Sequence, residues 1–303
     1  MVMAARSFGD RIEFCPQADY PFVPVTVTVA GGHRISCVDE GQGLPVVMLH
    51  GNPSWSYLYR RLILSLRENY RCLAPDHLGC GLSDKPQDYP YRLADHISNL
   101  EQVLAERNID RCVLVVHDWG GAIGMGWAVR NPEKVAGLVV MNTAAFRSRR
   151  IPLRIAVCRW PLLGSFLVRG LNLFARGAIH MAVVNKMAPA VAAGFVAPYD
   201  SWESRVAVHR FVQDIPMSSD HPSWPALMQI EEGLPRLAAK PMLICWGGRD
   251  FCFNDQFYQE WRRRFPRAQC HYLPAAGHYL LEDAFPEIEA RVREFLRCLE
   301  SLA

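Results

Sequence analysis

Three polar residues stand where a chain could assemble a nucleophile with an acid–base pair: Asp118, Asp250 and His278. Asp118 closes the β-branched part of Val113-Leu114-Val115-Val116-His117-Asp118-Trp119-Gly120-Gly121, and residues 122–131 then read as helix. A strand that turns sharply into a helix lifts one side chain over the end of a sheet. Backbone N–H groups and the helix N-terminus then point at the space above it. A carboxylate lifted there can attack an electrophilic carbon and form an ester. An aspartate before a helix is also a common N-cap, so this stretch alone divides between the two readings.

Asp250 ends Trp246-Gly247-Gly248-Arg249-Asp250, and His278 ends Pro274-Ala275-Ala276-Gly277-His278. Both follow strand-like runs, in the order nucleophile, acid, base. His278 can deprotonate a water, while Asp250 holds its imidazole in one tautomer and stabilises the imidazolium. Each residue singly suits a turn or a cap; the ordered set selects catalysis. In His50-Gly51-Asn52-Pro53 glycine permits a tight backbone and proline fixes the turn, leaving Asn52 to point an amide N–H at the site. Trp119 offers an indole N–H to developing negative charge and a backbone N–H for an oxyanion hole. The stretch Asp76-His77-Leu78-Gly79-Cys80-Gly81 shapes a loop beside the site. His50, His77 and His117 are expected as hydrogen-bonded turn residues rather than bases.

The elements that must position these residues follow from periodicity. Residues 23–38 read as two strands around Gly31-Gly32, and Pro45–Leu49, 70–74, 135–141, 241–246 and Gln269–Leu273 as further strands. Residues 57–66, 93–107, Asp255–Arg264 and 286–299 read as helices. This alternation predicts a mostly parallel sheet flanked by helices, with ligands bound beyond the carboxyl ends of the strands. From Arg147 the alternation stops: Leu162, Leu163, Phe166, Leu167, Leu171, Phe174, Ala178 and Met181 recur at helical spacing. Residues 147–224 are therefore expected to form a helical cap on a core made of 1–146 and 225–303. The apolar face of the 162–181 helix is expected to pack on the core or line the pocket. Its arginines also suit a membrane surface.

The 33 basic and 30 acidic residues leave a net charge of +3, too balanced for a nucleic-acid partner. Residues 1–16 hold no apolar signal-peptide core. The ten cysteines are scattered singly, which points to reduced thiols in a cytoplasm and to neither a metal site nor a disulfide framework. No cofactor is expected.

The motifs His50-Gly51-Asn52-Pro53, Asp76 to Gly81, His117 to Gly121, Asp250 and His278 resemble those of the haloalkane dehalogenase and epoxide hydrolase branch of the α/β-hydrolase superfamily. That resemblance covers nearly the whole chain. A narrower one joins Ser54-Trp55-Ser56-Tyr57, Pro75-Asp76-His77, Asn142 to Phe146, Val196 to Trp202, Arg210 to Pro216 and Trp246 to Phe253. These stretches resemble the β-lactone decarboxylases of bacterial long-chain olefin biosynthesis. Such enzymes release CO2 from cis-3,4-dialkyl-oxetan-2-ones and leave a cis-alkene.

The resemblance implies a small apolar substrate with long alkyl chains and association with other olefin-pathway enzymes. It makes Asp118 the nucleophile, Asn52 and Trp119 the groups that stabilise negative charge, and His278 with Asp250 the pair that handles protons or water. An alkyl-enzyme ester and a mixed anhydride both stay open. Haloalkane dehalogenation is the alternative, because Asn52 and Trp119 together suit a halide. An epoxide hydrolase asks for two cap tyrosines, and between residues 147 and 240 there is only Tyr199. A non-catalytic binding or scaffold protein of this fold would lack a triad member, and all three are present.

Overall fold

Valine-rich runs become strands here because helices cover both faces of one sheet. In the computed structural model, which describes residues 19–301, the strands are β1 (Val25–Val29), β2 (His33–Glu40), β3 (Pro45–Leu49), β4 (Arg71–Pro75), β5 (Cys112–Asp118), β6 (Val135–Thr143), β7 (Met242–Gly247) and β8 (Gln269–Leu273). Their spatial order is β1-β2-β4-β3-β5-β6-β7-β8, antiparallel from β1 to β4 and parallel beyond. Both central strands, β5 and β6, are buried along their whole length. Leu114 and Val116 pack with Ile97 and Leu100 of the helix Leu93–Glu106. Val113 and Val115 point the other way, toward Phe295 and Leu296 of the helix Phe285–Glu300. The expected α/β architecture is the one observed. The reading of residues 1–16 as lacking a signal peptide lies outside the described residues.

Where elements differ from expectation, the differences lie near the strand ends. The helix after β5 spans Trp119–Ala128, so both glycines are inside it rather than before it. A Cβ on Gly120 would stand 2.0 Å from the Leu49 carbonyl oxygen, and one on Gly121 would stand 1.8 Å from Thr143 Oγ1. The first turn of this helix therefore lies directly against β3 and β6. Strand β6 runs on to Thr143 because Thr143 pairs with Asp118, and its hydroxyl donates to the Asp118 carbonyl. The 57–66 helix begins as a 3-10 turn, Ser56–Tyr59, and is α-helical only from Arg60 to Leu66.

Between β6 and β7 lie six α-helices, a π turn and two 3-10 turns, and Cys158, Val168, Ala175, Tyr199, Val208 and Val212 form a small core among some of them. The single helix expected over 162–181 is broken into Pro161–Ser165, the π turn Phe166–Gly170 and Leu173–Met181. Asn172 stops it with a left-handed backbone (φ 53°), held by its side-chain N–H to the Tyr199 carbonyl at 2.9 Å. The expected packing of this apolar face is also only partly met. Leu167, Phe174 and Ala178 line a cavity, but Leu162, Leu163, Phe166 and Leu171 face outward.

Candidate active site

Asp118 sits at φ 50°, ψ −126°, a conformation that costs a non-glycine residue roughly 1–3 kcal/mol. The surrounding chain holds it there. Its carbonyl takes the Thr143 hydroxyl, and its carboxylate presses on Gly51, where any Cβ would stand 2.0 Å from Oδ1. This is why glycine precedes Asn52. The Asn52 backbone N–H donates to Asp118 Oδ1 at 2.7 Å, and the Trp119 backbone N–H next to it favours the carboxylate form. Burial raises the Asp118 pKa, while His278 and these two N–H groups work against the rise.

His278 is buried 3.8 Å from Asp118, measured from Nε2 to Oδ2, beyond hydrogen-bond reach. Its Nδ1–H donates to Asp250 Oδ2 at 2.7 Å. Burial depresses its pKa most, but the Asp250 contact and the nearby Asp118 outweigh that and leave it raised. Sequence brings Asp118, Asp250 and His278 from three strand ends, and the fold collects them at one point.

A further residue orders the acid. Between His117 and Asp118 the β5–β6 register shifts, so that Asp118 faces Thr143 and Asn142 is left over at φ 30°. The freed Asn142 side chain accepts from Gly247 N–H at 2.7 Å and donates to the Gly247 carbonyl at 3.0 Å. It also donates to Asp250 Oδ2 at 2.9 Å. With Cys252 N–H on Oδ1 at 2.6 Å, Asp250 is fixed from two sides besides His278. In the sequence Asn142 stands just past a strand and opens one of the stretches of family resemblance, with no role assigned to it; an amide after a run of buried valines was the signal available.

The amide N–H that Asn52 points at the site is that of its main chain. Its backbone, not its side chain, meets Asp118, while Nδ2 donates to the Val208 carbonyl of the cap at 3.0 Å. The Trp119 ring borders the cavity beside Phe211, with centroids 5.2 Å apart. His50 and His77 are hydrogen-bonded loop residues, whereas His117, expected in a turn, lies within strand β5. His50 Nε2 accepts from His77 N–H, His77 Nε2 donates to the His50 carbonyl, and His117 Nε2 donates to the His278 carbonyl. Burial lowers the pKa of all three, His77 to about 4. Asp76 takes Ser56 N–H and Leu82 N–H and shapes its loop.

The cavity over Asp118 measures about 360 Å³ and is lined by core residues such as Asn52, Trp119 and His278 and by cap residues such as Leu167 and Phe174. Tyr199, the cap tyrosine, is buried away from that lining and donates to the Ser54 carbonyl. The loop that carries His278 is also tied to the cap. Asp283 accepts from Val184 N–H, Asn185 N–H and Gly277 N–H, and Tyr279 N–H donates to the Ala182 carbonyl at 2.7 Å.

The chain is similar to several known proteins. Residues 46–291 match the model of the alpha/beta hydrolase family. A cis-3-alkyl-4-alkyloxetan-2-one decarboxylase of Shewanella oneidensis is 44% identical, over 90% of this chain and 88% of that protein. One of Xanthomonas campestris is 42% identical, over 91% and 97%. Among solved structures, the haloalkane dehalogenase DatA of Agrobacterium tumefaciens superposes with a TM-score of 0.83 at 25% identity, covering 91% of this chain and 97% of that one.

Proposed function

The chain belongs to the alpha/beta hydrolase family, and from that premise we propose that it decarboxylates cis-3,4-dialkyl β-lactones to cis-alkenes and CO2. One observation carries the reading. Asp118 has a carboxylate oxygen pinned by the Asn52 backbone N–H, under an apolar cavity that no cap tyrosine lines. The two decarboxylase relatives supply the substrate class.

Atom balance distinguishes the two positions that Asp118 could attack. Attack of Oδ2 on ring C4 forms an alkyl-enzyme ester, breaks the C4–O1 bond and leaves a carboxylate on C3. The C2–C3 electrons then become the C3–C4 π bond, CO2 departs, and the pair in the C4–Oδ2 bond returns to Asp118. Neither water nor a proton is consumed. Inversion at C4 followed by anti departure keeps the two alkyl groups cis. Attack at the carbonyl gives a mixed anhydride and an alkoxide; water takes these to a β-hydroxy acid, and alkene follows only after the alkoxide takes the Asp118 acyl group and forms the same alkyl ester. The C4 route reaches that ester in one step.

In this route His278 works as a cation. Its raised pKa favours an imidazolium beside Asp118 and the carboxylate released from the ring, where a charge in a dry site counts most. Asp250 holds it in place. Asn52 and Trp119 orient the nucleophile through their N–H groups, and the Trp119 indole meets charge on the substrate side. A cytoplasmic setting, alongside the enzymes that make the lactone, fits the nine unpaired cysteines among the described residues.

The test is incubation with a cis-dialkyl β-lactone, with alkene followed by gas chromatography. Alkene is expected from the wild type and none from Asp118→Asn. Absence of alkene, together with halide release from a long-chain haloalkane, would overturn the reading in favour of a dehalogenase.

A further inference from the structure

The cap carries the molecule's excess positive charge. Eight basic residues and no acidic one fall between residues 147 and 199, which leaves 25 basic against 30 acidic elsewhere. Of those eight, only Arg147 forms an ion pair among the described residues, with Glu231. Arg149, Arg150, Arg154, Arg176 and Lys186 are exposed.

Large apolar side chains stand among them. Leu162 is 89% exposed, Leu153 79%, Trp160 60% and Phe166 55%. In a water-soluble surface such residues are scattered singly; here they follow one another along one segment, as in a protein interaction face or an interfacial helix. The same surface reaches the cavity mouth. Leu173 and Met181 are about half exposed and line the cavity, and Arg150 and Arg154 line it too. No single described helix is long and apolar enough to cross a membrane. The pair Pro161–Gly170 and Leu173–Met181 is apolar enough jointly but bent by 69°. A bent apolar pair with a basic surround suits lying in a membrane surface, not spanning it.

We propose that the outer face of the cap, from Leu153 to Met181, seats on an anionic lipid surface and sets the cavity mouth against it. The arginines meet the headgroups and Trp160, Leu162 and Phe166 enter the acyl boundary. Charge argues for lipid over neutral surfaces, since unpaired cations next to apolar groups match anionic headgroups above acyl chains. The seating does not depend on which reaction the site performs. If the substrate is the dialkyl lactone, it would enter from the phase in which its tails dissolve.

The experiment is co-sedimentation of the full chain with phosphatidylcholine vesicles, with and without about a quarter phosphatidylglycerol. Binding is expected only with the anionic lipid, falling at least about 10-fold when ionic strength is raised toward about 1 M. The double substitution Leu162→Glu with Phe166→Glu should lower vesicle binding about 10-fold. It should leave the melting temperature and turnover of a detergent-free, short-chain lactone unchanged, because neither residue lines the cavity. Equal binding to neutral vesicles, or no binding to either, overturns the proposal. So does self-association in sedimentation velocity that the double variant abolishes, since the face would then serve a protein interface. Turnover enters only as a control, so failure of the lipid arm leaves the reading of the active site standing.

Discussion

Asn142 holds Asp250 by a 2.9 Å hydrogen bond while its other contacts clamp the backbone of Gly247. A bulge residue on β6 thereby sets the acid at the end of β7, and through it the ring of His278.

Replacing Asn142 with Ala should remove a positioning residue without touching substrate. The buried Gly247 N–H would lose its acceptor, at a cost of about 1–3 kcal/mol in stability, visible as a lower melting temperature. The kcat for alkene should fall about 10-fold, or ~1.4 kcal/mol, with KM little changed. A purely structural role would lower the melting temperature and leave the pH profile in place. A positioning role shifts the alkaline limb to lower pH, because His278 loses its fixed anion.

The pH dependence separates the two uses of His278. Its folded pKa is raised above the ordinary value of about 6.5. The stability this contributes is fully present below about pH 6.5 and is lost as pH rises through the folded pKa. Product should follow the same window. With His278 protonated the alkyl ester collapses to alkene; with His278 neutral, water is activated and the ester is hydrolysed to β-hydroxy acid. The ratio of alkene to β-hydroxy acid should therefore fall with rising pH. On the acid side, turnover should fail above the ordinary carboxylate range, because burial raises Asp118. A ratio independent of pH would remove the cationic role.

Glycines after the nucleophile should differ in how they can be rescued. In Gly121→Ala the new Cβ meets the Thr143 side chain, at 1.8 Å from Oγ1. In Gly120→Ala it meets backbone, the Leu49 carbonyl at 2.0 Å. Both should cost about 3 kcal/mol or more. Adding Thr143→Ala should recover part of the loss for Gly121→Ala and none for Gly120→Ala, as read from denaturant unfolding.

Asn52→Ala keeps the backbone N–H that holds Asp118 and removes the side-chain bond to the Val208 carbonyl. Alkene formation should fall by less than about 10-fold, under ~1.4 kcal/mol. A loss as large as that of Asp118→Asn would show that the side chain itself binds charge during the reaction.

The layout of the sheet was legible because its central strands, buried on both faces, are written as unbroken apolar runs; Asp118 closes one and Asp250 follows another, while His278 follows the half-exposed edge strand β8. Asn142 was not legible in its role, since a register shift between two strands leaves no trace in the spacing of either. Asn52 was found as a residue, but the bond its side chain makes was not, for a side-chain target in the cap depends on how the insertion folds back. The cap helix was overextended because apolar periodicity runs through Asn172. The Gly170-Leu171-Asn172 stretch carried the punctuation, glycine and asparagine being the residues that tolerate left-handed backbone.

Asp283 ties the residue before His278 to the backbone at Val184 and Asn185. The far end of the first cap segment is thus the footing of the base. Were the cap to swing open from this end, each cycle would dismantle the acid–base half of the site and rebuild it. With the footing fast, the machinery would stay assembled between one substrate and the next.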